Sequence, residues 1–99
     1  MVDLARMSDF ACPSYDGDEE SANGIPQPAN ELRRRLEACD AVVIASPEYN
    51  ASMPGVLKNA IDWASGFRPQ PFHQKQCLLL SAPIDGWGKS RALVVASAP

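Results

Sequence analysis

Three short runs along the chain have the pattern of β-strands. Residues 41–46 (AVVIAS) and 77–81 (CLLLS) are nearly continuous in apolar side chains, which is typical of buried parallel strands. Residues 2–7 (VDLARM) alternate between apolar and polar side chains, which indicates a further short strand. The pattern therefore predicts three strands, and the two apolar runs favour a parallel sheet.

Two helices are predicted between these strands. Leu32 and Leu36 recur at helical spacing, and a helix is expected over residues 28–39. The segment 54–65 has apolar side chains nearly all round, which indicates a helix buried on more than one face. Strands and helices in alternation predict an α/β layered fold, and residues 1–99 form one domain at most.

The remaining segments have weaker patterns. Residues 9–27 are rich in Pro, Gly, Ser, Asp and Asn, and a long loop is expected there. Residues 91–96 (RALVVA) fit either a helix or a strand. A helix is favoured because a crossover connection should follow a parallel strand.

Composition excludes several classes of partner. The net charge of −3 gives no electrostatic footprint for nucleic acid, and the basic run at 33–35 is expected to be a solvated helix face. No apolar run is long enough to span a membrane. The three cysteines lack metal-ligand spacing, so reduced thiols and a cytoplasmic location are expected.

The most informative segment follows the second predicted strand. Pro47, Glu48, Tyr49 and Asn50 leave the sheet at its carboxyl end, where open α/β sheets bind ligands. Backbone N–H groups there can bond the edge of a planar ring, and Tyr49 adds a flat apolar face. On local chemistry alone, a plain strand-to-helix turn capped by Asn50 and Ser52 explains the segment equally well.

A longer stretch of the sequence favours a ligand-binding loop over a plain turn. The run SPEYNASMPGVLKNAIDW, residues 46–63, resembles the NADPH-dependent FMN reductases, which include quinone, chromate and azo reductases. The resemblance implies a flavodoxin-like α/β/α fold of three layers with a parallel sheet. It also implies that residues 47–50 line the isoalloxazine of FMN. A second loop, residues 81–88, would flank the other side of the ring; Ser81 and Gly86 fit that role, whereas Trp87 is a lid or a surface aromatic.

The resemblance also implies a chemistry. Reduced nicotinamide, NADPH or NADH, would pass electrons through FMN to a small acceptor such as a quinone, a free flavin, chromate or an azo compound. No catalytic side chain is expected, because the flavin carries the hydride and the protein positions it. No metal site is expected either, since the acidic residues of 16–20 lack the spacing of a calcium loop.

The predicted helix over residues 54–65 has a role by resemblance. Relatives use it in a homodimer or homotetramer interface, and its all-round apolarity independently favours a buried or partner-facing helix. Its polar positions, Lys58, Asn59 and Asp62, either contact solvent and cap, or pair across a dimer.

The chain also departs from the family pattern. The family's N-terminal strand and phosphate loop, and its C-terminal part, have no counterpart here. The strand over residues 2–7 is expected either to pair directly with 41–46 or to leave a gap in the sheet. We therefore expect the isolated chain to fold poorly and to bind FMN weakly. The alternative function is a non-catalytic flavodoxin-like interaction module or an inactive fragment that binds a related subunit.

Overall fold

The centre of the fold is a mixed β-sheet. The computed structural model describes the backbone of residues 2–48, 52–83 and 93–97 and the side chains of residues 2–46 and 52–80. The elements of these residues, in chain order, are β1 (Val2–Arg6), α1 (Gly17–Asn23), α2 (Gln27–Glu37), β2 (Ala41–Glu48), α3 (Gly55–Ala64), β3 (Gln76–Pro83) and β4 (Leu93–Ser97). The three strands and two helices that periodicity predicts are confirmed as β1, β2, β3, α2 and α3, with shifts of a few residues at their ends.

The long segment predicted as a loop contains helical structure. A 3₁₀ turn follows β1 over Met7–Phe10, and α1 begins after Asp16, whose carboxylate accepts a hydrogen bond from the Asp18 amide at 2.9 Å. The acidic residues of the first turn of α1 suit the positive end of the helix dipole. Gly24 follows the helix with φ of +78°, a conformation that glycine adopts without strain. The acidic cluster is therefore a capped helix start.

The strand β4 corrects the prediction for the last segment. The helix expected over residues 91–96 is wrong, because Leu93–Ser97 form a strand. The sheet order is β1-β4-β2-β3, with β4 antiparallel to both of its neighbours and β2 parallel to β3. β1 and β2 run in the same direction one strand apart, and β4 fills the space between them. Neither expected alternative, direct pairing or a gap, occurs, because β4 supplies hydrogen-bond partners to both strands.

Helices α2 and α3 cover one face of the sheet. They bury a continuous core against Ala5, Val42 and Ile44 of the strands. The core residues contributed by the helices and by the turn after β1 are Met7, Phe10, Leu32, Leu36, Leu57, Ala60 and Ala64. Of the three layers that the resemblance implies, the described residues form two, a sheet and a helical layer.

Candidate functional site

The carboxyl ends of β2 and β3 lie side by side. The two strands are paired in parallel register to their last residues, Ser46 with Ser81, Pro47 with Ala82 and Glu48 with Pro83. The chain therefore leaves both strands at one edge of the sheet, where ligands bind in open α/β folds. The structure brings together the starts of the two predicted flavin-contacting segments, residues 47–48 and 81–83, which lie more than thirty residues apart along the chain.

The predicted site residues divide into two groups. The backbones of Pro47, Glu48 and Ser81 are placed at this edge. Tyr49, Asn50 and Gly86, the other three predicted residues, lie outside the described residues, as does Trp87. Their contacts with a flavin therefore stay predictions.

A cleft of about 520 Å³ opens between the segment after β1 and the start of α3. Because β1 runs parallel to β2, the chain that follows each strand leaves the sheet in the same direction. The cleft is lined by Cys12, Ser14, Tyr15, Gly55, Val56, Lys58, Asn59 and Asp62. The walls of the cleft carry both polar and apolar side chains.

Asn59 holds the wall of this cleft together. Its Nδ2 donates to the carbonyl oxygens of Cys12 at 3.2 Å and Pro13 at 3.0 Å. Its Oδ1 accepts from the Tyr15 amide at 2.7 Å. One side chain on α3 thus satisfies three backbone groups of a segment that has no regular structure of its own. This contact lies within the chain. It is neither solvent contact nor pairing across a dimer, the two roles expected for Asn59.

Trp63 and Tyr15 extend the same wall. Trp63 is fully buried, and its Nε1 donates to the Pro13 carbonyl oxygen at 2.7 Å. The Tyr15 ring meets it edge to face, with centroids 4.9 Å apart and an interplanar angle of 69°. The Tyr15 ring remains 42% exposed beside the cleft. A rigid aromatic surface, held in place by packing, suits a planar ligand better than a flexible aromatic surface would.

Tyr15 is not an acid in this site. Its hydroxyl donates to Glu20 Oε1 at 3.0 Å, and this bond, together with the nearby carboxylates, raises the pKa of the Tyr15 phenol. The phenol therefore stays protonated at neutral pH. Sequence reasoning missed Tyr15, because the contact that places it joins residues 44 positions apart.

The cleft suits a ring better than a phosphate. Lys58, the cation among the lining residues, forms an i,i+4 ion pair with Asp62. Gly55 opens α3, yet a Cβ built there meets no atom within 4 Å, so this glycine does not mark a close-fitting phosphate cradle. Within the described residues, no matching cradle for a phosphate is found. Nor do those residues contain a cluster of His, Cys, Asp and Glu side chains able to hold a metal ion.

Comparison with known proteins identifies the family. The model of the NADPH-dependent FMN reductases matches residues 1–96. The chain belongs to this family. An NAD(P)H-dependent FMN reductase of Pseudomonas aeruginosa is 44% identical over 91 residues, which are 92% of this chain and 48% of that protein. A quinone reductase of Escherichia coli is 40% identical over 79 residues, which are 80% of this chain and 42% of that protein.

A solved structure supports the same assignment. The flavoenzyme FerB of Paracoccus denitrificans, an NAD(P)H:(acceptor) oxidoreductase, has a TM-score of 0.62 and 36% sequence identity. The match covers 76% of this chain and 40% of FerB. The expected family and flavodoxin-like α/β class are thereby confirmed. The chain spans just under half the length of the curated relatives described above.

Proposed function

We propose that this protein is a flavin-dependent oxidoreductase that takes electrons from NADPH or NADH through FMN to a small acceptor. Family membership supports the reaction class. The observation that carries the proposal is the parallel register of β2 and β3, which places the backbones of Pro47, Glu48 and Ser81 at one edge of the sheet. When bound, FMN supplies the hydride and electron transfer that no protein side chain can perform.

The chain's own residues would position the ring. The segment 47–50 would line one side of the isoalloxazine, with its backbone groups available to the ring edge. Ser81 and Gly86 would lie on the other side, where the chain leaves β3. Tyr15, held by Asn59 and Trp63, would wall the neighbouring cleft from which an acceptor approaches. These residues bind and orient, and none is assigned as a catalytic acid or base.

A quinone is the acceptor that the comparisons favour. The Escherichia coli relative is named a quinone reductase, and a Burkholderia relative 47% identical over 53 residues is named a 2-hydroxy-1,4-benzoquinone reductase. Flavin, chromate and azo compounds are the other acceptor classes proposed. None of the described helices is long and apolar enough to cross a membrane. We assign the protein to the cytoplasm, where nicotinamide cofactors are available and its free cysteines would stay reduced.

Self-association through α3 is part of the proposal. The chain's own core already buries four residues of this helix, Leu57, Ala60, Trp63 and Ala64. Val56, at 63% exposure, and the nearby Met53, at 43%, leave an apolar patch at the start of α3. A dimer interface would centre there, next to the cleft.

The activity has a direct assay. Oxidation of NADPH and NADH by the purified full chain is followed at saturating FMN, with 1,4-benzoquinone as acceptor. The proposal predicts quinone-dependent oxidation that requires both protein and FMN. Replacing Tyr49 by Ala should lower this rate, whereas Lys58→Ala, a change at an exposed ion pair, should not. Oxidation no faster than with FMN alone would contradict the proposal.

A non-catalytic interaction module is the second candidate. The missing phosphate cradle in the described residues and the bare face of the sheet favour it. The two candidates differ in whether the chain retains flavin. Flavin absorbance that follows the protein through gel filtration supports the enzyme, and colourless protein that associates with copies or subunits supports the module.

A further inference from the structure

The Tyr15 cleft, the volume of about 520 Å³ between residues 12–15 and the start of α3, has the size of a small-molecule site. Pockets that hold small ligands usually measure roughly 300–1,000 Å³ and combine apolar walls with a few polar groups. The Tyr15 ring and Val56 give this cleft an apolar wall, and Ser14 and Lys58 add groups that can donate hydrogen bonds. A planar ligand of one or two rings fits that volume.

Tyr15 is held in place by three contacts. Its amide donates to Asn59 Oδ1 at 2.7 Å, and its hydroxyl donates to Glu20 Oε1 at 3.0 Å. Its ring meets the buried Trp63 edge to face, with centroids 4.9 Å apart. An aromatic ring that is already ordered loses little freedom when a ligand stacks on it. Tyr15 is therefore suited to act as a stacking surface in the cleft.

The charges around Tyr15 are mostly negative. Glu20 accepts the Tyr15 hydroxyl, and Asp16 follows Tyr15 along the chain. Lys58, the cation among the lining residues, forms an ion pair with Asp62. Within residues 2–46 and 52–80, Asp16 and Glu20 form no ion pair with a cation. The surroundings of the Tyr15 ring therefore carry an excess of negative charge.

The Tyr15 phenol responds to the same charges. Its hydrogen bond to Glu20 raises its pKa most, and the carboxylates of Glu20, Asp62 and Asp16 raise it further. A raised pKa means that a negative charge on the phenol oxygen is disfavoured. An anionic group on a ligand that lies against the ring would meet the same repulsion.

We propose that the Tyr15 cleft is the acceptor subsite and that it selects uncharged planar acceptors over anionic ones. Tyr15 supplies the stacking surface, and Glu20 and Asp16 supply the repulsion. This inference rests on the proposed function and deepens it, because it separates the acceptor classes named there. Uncharged quinones suit the cleft, whereas chromate, a dianion, does not.

Two ligands that differ by one charged group test the selection without any turnover. Hydroquinone is the uncharged reduced form of 1,4-benzoquinone, and unlike the quinone it does not add to thiols such as Cys12. Hydroquinone sulfonate has the same ring and one negative charge. Each is titrated anaerobically into the isotope-labelled full chain. The Kd is taken from the NMR shifts of the Tyr15 amide and the Asn59 side-chain amide.

Hydroquinone should give saturable shifts at both groups, and the sulfonate should bind about five- to tenfold more weakly at low ionic strength. Added salt should reduce this ratio, because it screens exposed charges. Tyr15→Leu removes the stacking surface and should weaken hydroquinone binding by about two- to tenfold. The Asn59 side-chain amide measures the Kd in that variant.

Three charge-removing variants test the source of the repulsion. Glu20→Gln keeps an acceptor for the Tyr15 hydroxyl but removes the charge, and it should lower the ratio about twofold or more. Asp62→Asn, which frees Lys58, should lower it as well. Asp40→Asn is the matched control, since Asp40 is exposed just ahead of β2, at the opposite end of the strand from its carboxyl edge. It changes the net charge equally and should leave the ratio unaltered.

Three results would overturn the inference: no saturable shift at Tyr15 and Asn59 with either ligand; equal Kd values for the two ligands; or a ratio that Asp40→Asn lowers as much as Glu20→Gln. The NAD(P)H oxidation assay fails separately. Selective binding without quinone-dependent oxidation would contradict the proposed function, whereas oxidation with equal binding of the two ligands would contradict only this inference.

Discussion

At the scale of single residues, Asn59 shows how a polar side chain in a helix orders a neighbouring segment. An asparagine in the interior of α3 is unfavourable for a helix on propensity alone. Its three hydrogen bonds to the segment 12–15 give a reason for its presence. The sequence contains the hint, an Asn in a strongly helical stretch, but the partners lie 44 to 47 positions away and no local pattern identifies them.

Asn59→Ala should therefore loosen the cleft wall. The variant removes three hydrogen bonds to the backbone, of whose acceptors only the Pro13 carbonyl keeps another donor, Trp63 Nε1, and the free energy of unfolding should fall by about 1–3 kcal/mol. Urea unfolding measures this loss, and amide exchange at Tyr15 should accelerate. Lys58→Ala, which removes only an exposed ion pair, is the control and should cost about 0.5 kcal/mol or less. Equal effects of the two substitutions would contradict the assigned role.

The arginine run of α2 is tied to carboxylates of the same chain. Glu31 accepts from Arg34 at 2.6 Å and from Arg35 at 3.0 Å, and these bonds lower the pKa of the Glu31 carboxyl to about 2. Arg33 lies over the Phe67 ring at 4.5 Å. These contacts join the arginines to groups of the same chain, and the expected lack of a nucleic-acid patch stays a prediction.

Glu31 should make stability depend on acid pH. Its pKa is lower in the folded state than in the unfolded state, so its contribution is complete above about pH 4.5 and is lost as the pH falls towards 2. Glu31→Gln should lower the melting temperature at pH 7 and have little effect at pH 2. Thermal melts across this range test the prediction, with Glu37→Gln as a control on the same helix. An equal loss at both pH values would contradict it.

At the scale of elements, the hydrophobic pattern predicts those helices and strands whose formation depends on local sequence. The short apolar runs predict β2 and β3, the helical spacing of Leu32 and Leu36 predicts α2, and apolar residues nearly all round predict the buried helix α3. Helix α1 was missed although Asp16 and Glu19 have the spacing of a capping box, since its seven residues include no large apolar side chain and so carry no periodic signal. The segment RALVVA fits both periods, and the space between β1 and β2 decides in favour of a strand.

Disrupting β4 should destabilise the whole sheet. Val95→Pro removes a backbone N–H from a strand that has neighbours on both sides, and proline is excluded from such positions. The free energy of unfolding should fall by at least about 2 kcal/mol. Amides of Leu4 and Val43, the register partners of Val95, should exchange faster.

Val95→Thr is the matched control for this substitution. Threonine keeps the β-branched shape and the N–H group, so both stability and exchange should change little. Unaltered exchange at Leu4 and Val43 in the proline variant would show that β4 does not occupy the central position.

At the scale of the whole molecule, the described residues combine the paired carboxyl ends of β2 and β3 with a single helical layer. Sequence alone predicted the α/β class and the edge, because the run of residues 46–63 is specific. The cleft wall built by Tyr15, Asn59 and Trp63 was not predictable, since it depends on the packing of a segment without periodicity. The backbones of Pro47, Glu48 and Ser81 lie at the carboxyl edge of the sheet, and their contact with flavin stays a prediction.

The central claim is that the carboxyl edge of β2 and β3 binds a flavin ring, and a titration tests it most directly. FMN and riboflavin are each titrated with the full chain while flavin fluorescence is followed. Since the proposed contacts are with the ring and the described residues provide no phosphate cradle, both ligands should show weak, saturable quenching, with Kd values within about threefold of each other. Absence of saturable quenching by either flavin would contradict the claim. Binding of FMN more than about 30-fold tighter than riboflavin would show that a phosphate site governs recognition instead.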